Sequence, residues 1–274
     1  MKFITSRENP FFKQLIKLGR SAQERRSAGL ALLDGIHLIT AYQRALGQPK
    51  CLIMSETGRD SGEVKRLLAE KREGAGTEGA HVVVLTDTLF HAVSPVKTPT
   101  GVMALIATPK VEDIPLCSGG TGKGESFAVL LEAIQNPGNL GSILRSAAAA
   151  GVGDAYLSPG CPDAWSPGAL RAAMGAHFLL RIHEQSNLAD VARKFDGKVI
   201  ATSLKAKTSL YGTILTGPVA FVFGNEGAGL SDEVLAVVSE QVAIPMPGGT
   251  ESLNAAAAAA VCFFERVRQM TVNR

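Results

Sequence analysis

Three glycine-containing segments carry side chains suited to binding and polar chemistry. The first runs from Asn136 to Arg145, where Asn136 and Asn139 offer uncharged amide donors and acceptors. We expect Arg145 on the first or second turn of the following helix, beside its free backbone N–H groups, which together would bind a phosphate. The alternative is a capped turn with a surface arginine.

The second segment, residues 223–232, places three glycines in six residues around Glu226. Such a density predicts unusual dihedrals or close backbone approach to a ligand. Its GxxGxG spacing does not match the GxGxxG dinucleotide fingerprint, which argues against a dehydrogenase. In the third segment, residues 244–254, Ser252 is a candidate N-cap for an alanine-rich helix. Alternatively, Ser252 and Asn254 contact a substrate, and both roles are compatible.

Alternating strands and helices must position these segments. Apolar runs predict strands, and amphipathic stretches predict helices between them. The predicted strands are 127–134, 155–157, 178–183, 198–204, 219–223 and 242–245, and the predicted helices are 140–150, 167–174, 187–195, 231–238 and 253–269. This alternation predicts an α/β fold with a mostly parallel sheet and helices on both faces. Ligands of such sheets bind at the carboxyl ends of the strands, where the three segments lie.

The N-terminal part of the chain predicts a smaller α/β domain. Residues 6–20 form an amphipathic pattern, residues 35–46 predict a second helix, and the apolar runs 51–54, 81–85 and 102–107 predict strands. Seven basic and two acidic side chains fall within the first 26 residues, which indicates either contact with a polyanion or an ordinary solvated helix face. The candidate contacts with such a polyanion are Arg7, Lys13, Lys17 and Arg20.

Composition limits the remaining possibilities. The 274 residues include four scattered cysteines without a CxxC pair, so neither a zinc site nor a disulfide framework is indicated, and a reducing cytoplasm fits. The longest apolar run is too short to cross a bilayer, so we expect no membrane association. Residues 110–125 read as a flexible linker, and their Gly122-Lys123-Gly124 does not complete a phosphate-binding P-loop.

The three segments together resemble the motifs of the SpoU (TrmH-type) RNA 2′-O-methyltransferases of the SPOUT superfamily. They read NPGNLGSILR from residue 136, FGNEGAGL from residue 223 and IPMPGGTESLN from residue 244. The N-terminal stretches ITSRENPFFK (4–13) and LDGIHL (33–38) are similar, more weakly, to an L30e-like RNA-binding domain. The resemblance implies an L30e-like domain at 1–109, a linker at 110–125 and a SPOUT catalytic domain at 126–274 with a C-terminal trefoil knot.

The resemblance also implies a cofactor, an assembly and a set of site residues. The cofactor would be S-adenosylmethionine, and the enzyme would be a homodimer with its sites near the subunit interface. The implied cofactor-binding residues are Thr202, Ser203, Leu204, Phe223, Gly224, Asn225, Gly229, Ile244, Met246, Ser252 and Leu253. The implied catalytic residues are Arg145, Asn136, Asn139, Glu226, Ser252 and Asn254, and Arg145 also serves as an RNA contact.

The predicted reaction is attack of a ribose 2′-oxygen on the cofactor's activated methyl group. Arg145 would hold a phosphate near the target ribose and stabilise the developing alkoxide, because an arginine is a poor base at its usual pKa. Asn136 and Asn139 would orient the ribose or Arg145, and Glu226 would orient Arg145 or a substrate group. The L30e-like domain favours ribosomal RNA as substrate. The alternatives are transfer RNA, or a catalytically silent RNA-binding protein of the same fold.

Overall fold

A computed structural model describes residues 1–69, 81–114 and 126–272, and its strands form two sheets. The first sheet has five strands in the order β1-β4-β3-β5-β2. These are β1 (Lys2–Ile4), β2 (Leu30–Asp34), β3 (Cys51–Ser55), β4 (His81–Leu85) and β5 (Val102–Ala107). The accompanying helices are α1 (Pro10–Arg20), α2 (Ala22–Ala28), α3 (Ile36–Leu46), α4 (Gly62–Ala69) and α5 (Asp87–Val93).

The second sheet has seven strands in the order β10-β12-β9-β11-β6-β7-β8, and every neighbouring pair is parallel. Its strands are β6 (Phe127–Leu131), β7 (Asp154–Leu157), β8 (Arg181–His183), β9 (Lys198–Thr202), β10 (Thr208–Ser209), β11 (Val219–Phe223) and β12 (Glu240–Ala243). Its helices are α6 (Pro137–Ala149), α7 (Pro167–Ala173), α8 (Leu188–Lys194), α9 (Asp232–Leu235) and α10 (Ala255–Val272). The expected α/β fold with a mostly parallel sheet is confirmed, and the trefoil knot stays a prediction.

Buried apolar clusters cover both faces of each sheet. One cluster lies between the first sheet and helices α1 and α5, and another between the second sheet and helices α8 and α9. The largest cluster contains residues of both sheets together with α3, α6, α7 and α10. The two parts of the chain therefore pack against each other through a common apolar core.

Helix α1 begins later than the sequence pattern predicts. Asn9 is its N-cap, with the side chain accepting a hydrogen bond from the N–H of Phe11 at 2.9 Å, and Pro10 occupies the first turn. Proline favours this position because its missing N–H has no partner in a first turn. The chain before it adds strand β1 to the sheet edge instead of extending the helix.

The predicted linker lies mostly outside the described residues, which exclude 115–125. At its beginning, residues 111–113 form a short 3₁₀ turn, and the Asp113 carboxylate accepts a hydrogen bond from the N–H of Lys110 at 2.9 Å. Over the three described ranges, no helix combines the length and apolarity needed to cross a membrane. The same residues contain no cluster of three or more His, Cys, Asp and Glu side chains arranged for a metal.

Candidate active site

The site lies at the carboxyl edge of the seven-stranded sheet. The loops that follow β6, β9, β11 and β12 leave this edge together, because all four strands run in the same direction. Parallel α/β sheets bind ligands at such edges. The three segments singled out in the sequence follow β6, β11 and β12 and therefore meet here.

The carboxylate of Glu226 joins the first two segments. It accepts hydrogen bonds from the side-chain amide of Asn139 at 2.8 Å, from the N–H of Gln135 at 2.9 Å and from the N–H of Asn136 at 3.4 Å. Desolvation acts to raise the pKa of Glu226, but these hydrogen bonds outweigh it and hold the pKa below its ordinary value. Glu226 is therefore an anion at neutral pH.

Asn139 and Asn254 extend this network to the third segment. The amide of Asn254 donates to the side-chain oxygen of Asn139 at 3.0 Å. The side-chain oxygen of Asn254 in turn accepts from the N–H of Ala256 at 2.9 Å, so Asn254 caps helix α10. The expectation that Ser252 is the cap is wrong, because the helix begins at Ala255 and the cap lies directly before it.

Asn225 and two of the three glycines shape the loop after β11. Asn225 and Gly229 exchange backbone hydrogen bonds of 2.9 Å in both directions, and Gly229 has a φ of 75°. A Cβ on Gly224 would lie 2.4 Å from the carbonyl of Gly229, so only glycine fits there. The amide of Asn225 also donates to the carbonyl oxygen of Ala133 at 2.8 Å, which ties this loop to the β6–α6 loop.

These loops surround a cavity of about 820 Å³. Ligand pockets commonly occupy roughly 300–1,000 Å³. The lining includes all eleven residues expected to bind the cofactor, namely Thr202, Ser203, Leu204, Phe223, Gly224, Asn225, Gly229, Ile244, Met246, Ser252 and Leu253. It also includes Asn139, Glu226 and Asn254 from the expected catalytic set. The sequence interpretation did not assign six further lining residues to the cofactor site, most of them apolar: Lys205, Leu230, Leu235, Val242, Ala255 and Ala258.

Two expected catalytic residues lie outside this lining. Asn136 caps helix α6, its side-chain oxygen accepting from the N–H of Gly138 at 2.7 Å. Arg145 is exposed on the third turn of α6, eight residues after Pro137 and about 12 Å along the helix axis at 1.5 Å per residue. The expected place on the first or second turn is wrong, because the helix begins at Pro137. The phosphate site made jointly by Arg145 and the free N–H groups of this helix is therefore not formed.

The expected RNA contacts at the N-terminus are all exposed. Lys13 pairs with Glu8, and Lys17 lies 3.5 Å from the carboxylate of Glu24. These acidic side chains offset part of the local positive charge. The RNA-binding role of Arg7, Lys13, Lys17 and Arg20 stays a prediction.

Comparison with known proteins agrees with the motifs and the fold. Residues 126–264 match the SpoU rRNA Methylase family, and residues 9–104 match the MRM3-like substrate binding domain. The chain is 33% identical to an uncharacterized tRNA/rRNA methyltransferase of Synechocystis, over 97% of this chain and 93% of that protein. It is 27% identical to the 23S rRNA (guanosine(2553)-2′-O)-methyltransferase RlmP of Bacillus subtilis, over 96% and 98% of the two chains.

A solved structure supports the same assignment. The SpoU methyltransferase AviRb from Streptomyces viridochromogenes, in complex with the cofactor AdoMet, has a TM-score of 0.79 and 26% identity, over 96% of this chain and all of that one. The sequence-based resemblance is thus confirmed, and the chain belongs to the SpoU rRNA methylase family.

Proposed function

We propose that this protein is an S-adenosylmethionine-dependent methyltransferase that methylates a ribose 2′-hydroxyl of ribosomal RNA. One observation supports the proposal most strongly: residues of all three SpoU motifs line one cavity. Hydrogen bonds among Glu226, Asn139 and Asn254 link the three motifs there. Relatives such as RlmP of Bacillus subtilis, which carries 23S rRNA and 2′-O in its name, favour ribosomal RNA over transfer RNA.

The cavity fits a cofactor that combines an adenosine with a methionine group. Its lining combines apolar residues such as Leu230, Val242 and Ile244 with residues of the glycine-containing loop around Gly224. Gly224 lets this loop fold tightly on itself, because a Cβ there would lie 2.4 Å from the carbonyl group of Gly229. The residues expected to hold the cofactor are those of the loops after β9, β11 and β12. S-adenosylmethionine supplies an activated methyl group when bound.

The polar rim of this cavity suits recognition of a ribose. The anionic Glu226 fixes the amide of Asn139 from one side and Asn254 fixes its oxygen from the other, so the rotamer of Asn139 is set before substrate binds. Fixed amides of this kind position a hydroxyl group without a reorganisation cost. Asn136 contributes indirectly, because it caps the helix that carries Asn139.

Arg145 is proposed as the electrostatic group of the reaction. It is exposed and, among the residues that the structure describes, it forms no ion pair. Its guanidinium is therefore available for an RNA phosphate beside the target ribose, where it would lower the cost of the developing alkoxide. Because Arg145 lies outside the lining of the cavity, this role requires an RNA that contacts Arg145 with a phosphate while its target ribose enters the cavity. A homodimer and a cytoplasmic location stay predictions.

The test is methyl transfer from labelled S-adenosylmethionine to total RNA from cells lacking the protein, followed by mapping of 2′-O-methylated nucleotides. We expect label in ribosomal RNA, and Arg145→Ala to abolish transfer while cofactor affinity stays at the wild-type value. Arg193→Ala is the matched control, since Arg193 is also an exposed arginine on a helix that packs with the seven-stranded sheet. Label in transfer RNA would show that the substrate is transfer RNA and not ribosomal RNA. If the wild-type protein neither transferred methyl groups nor bound the cofactor, a catalytically silent RNA-binding protein would be favoured.

A further inference from the structure

A buried ion pair joins the two parts of the chain. The Nε of Arg25, on helix α2, lies 2.6 Å from the carboxylate of Asp163, in the loop after β7. Only 6% of the Arg25 side chain and 4% of the Asp163 side chain are exposed. The guanidinium also donates to the carbonyl oxygen of Leu18 at 2.5 Å, in the last turn of α1. One side chain therefore connects the end of the basic helix α1 to the carboxyl edge of the second sheet.

The loop that carries Asp163 is itself fixed to the candidate active site. The second carboxylate oxygen of Asp163 accepts a hydrogen bond from the N–H of Trp165 at 2.9 Å. Earlier in the same loop, the hydroxyl of Ser158 accepts from the N–H of Ala133 at 2.9 Å. The carbonyl of Ala133 in turn holds Asn225. These hydrogen bonds, together with the loop from Ser158 to Asp163, connect helix α1 to the cavity.

Apolar contacts already hold the two parts of the chain together. The rings of Tyr42 and Phe178 meet edge to face at 5.3 Å, and a Cβ on Gly175 would lie 2.7 Å from the methyl group of Ala41. Replacing a buried ion pair by apolar residues is often neutral or stabilising, and in some proteins such a pair serves to fix one arrangement of the fold. The apolar contacts thus account for the association of the two parts, and the ion pair is available to set their relative orientation.

We propose that Arg25 is a positioning residue that sets the orientation of the N-terminal, RNA-binding part relative to the cavity, and so determines which nucleotide of a structured RNA is methylated. The inference rests on the proposed function. An RNA held by the N-terminal part reaches the cavity at a fixed distance and angle. Loss of the ion pair allows neighbouring riboses to enter.

The experiment replaces both charged side chains by apolar ones of similar shape, because Arg25→Met alone leaves Asp163 buried without its partner and can prevent folding. In Arg25→Met/Asp163→Leu, we expect unchanged cofactor affinity and unchanged methylation of a short oligonucleotide that reaches only the cavity. With a structured ribosomal RNA fragment, kcat/KM should fall about 100-fold, as for other misplaced reacting groups. Methyl groups should also appear on adjacent nucleotides. Arg193→Gln, which removes an exposed ion pair, is the control and should behave as wild type.

A second measurement does not depend on methyl transfer. Spin labels introduced as unnatural amino acids at Lys13 and Lys194, both exposed, report the distance between the two parts of the chain. We expect one narrow distance distribution for the wild type and a broad or shifted one for the double variant. The proposal would be overturned if the double variant kept the wild-type distance distribution or the wild-type nucleotide selectivity. It would also be overturned if methylation of both RNAs and cofactor affinity fell equally. A wild type without methyl transfer would overturn the proposed function instead, and the distance measurement would still decide the role of Arg25.

Discussion

Replacement of Gly224 by alanine should disrupt the cofactor cavity through a single steric contact. The added Cβ would lie 2.4 Å from both the carbonyl carbon and the carbonyl oxygen of Gly229, and 2.7 Å from the N–H nitrogen of Leu230. Heavy atoms in contact normally lie about 3.5–4.0 Å apart, so the loop must open by roughly 1 Å. That opening breaks the two hydrogen bonds between Asn225 and Gly229.

The cost of this strain gives the expected change in affinity. Overpacking of a close contact costs about 1–3 kcal/mol. If the strain falls on the binding-competent loop, the dissociation constant for S-adenosylmethionine should rise roughly 5- to 150-fold, since 1.4 kcal/mol corresponds to a factor of ten. Isothermal titration calorimetry measures this constant directly, and circular dichroism verifies that the variant is folded.

Gly227 provides a control in the same loop. A Cβ there would meet nothing closer than the side-chain oxygen of Asn225 at 3.6 Å, which is an ordinary contact, and its φ is not in the left-handed region. Gly227→Ala should therefore keep the loop conformation. Gly227 also lines the cavity, but the affinity of this variant for the cofactor should still fall less than that of Gly224→Ala. Equal affinities of the two variants, whether both normal or both weakened, would refute the assignment of the effect to the contact with Gly229.

Two further predictions follow from buried or capping groups. Asn254→Ala should lower the free energy of unfolding by about 0.5–2 kcal/mol through loss of the α10 cap, and should slow methyl transfer because Asn139 is released. Asn187→Ala, at the cap of α8, should cost similar stability in urea titrations without the loss of methyl transfer; equal transfer rates of the two variants would contradict the link to Asn139. Burial lowers the pKa of His177 to about 4, below the ordinary value of about 6.5 for a histidine, so protonation favours the unfolded chain and stability should fall by about 2 kcal/mol between pH 7 and pH 5. His177→Gln can still donate to the carbonyl of Ala164, and its unfolding free energy should lack this part of the pH dependence; parallel curves for the two proteins would contradict the assignment.

The strands of the fold could largely be predicted from apolar runs. The predicted strands at 81–85, 102–107 and 219–223 coincide with β4, β5 and β11. Strand β2 was missed, because its short apolar run between a helix and a glycine has no period that distinguishes a strand from a helix. The predicted strand 127–134 was too long, since Ile134 is fully buried in a loop and therefore looks like a strand residue in the sequence.

The site could be predicted at the level of loops but not of atoms. Three glycine-containing loops at the ends of parallel strands had to meet at one edge of the sheet, and the structure brings them there. The pairing of Glu226 with Asn139 spans 87 residues and has no local signal in the sequence. The turn occupied by Arg145 was misjudged because Pro137 starts the helix earlier than the apolar pattern does. Arg25 and Asp163 gave no signal, since a long-range ion pair is not visible in either segment alone.

Ala133 shows why the β6–α6 loop can present two N–H groups to Glu226. Its φ of 48° lies in the left-handed region, which costs a residue with a Cβ about 1–2 kcal/mol. Three hydrogen bonds hold it there: its N–H donates to Ser158, and its carbonyl oxygen accepts from the side chains of Asn225 and Gln135, each at 2.8–2.9 Å. The reversal of the chain at Ala133 directs the next backbone N–H groups toward the Glu226 carboxylate. Strain at one alanine is thus offset by contacts from three loops, and this couples the geometry of the cavity rim to the loop that Asp163 and Arg25 hold.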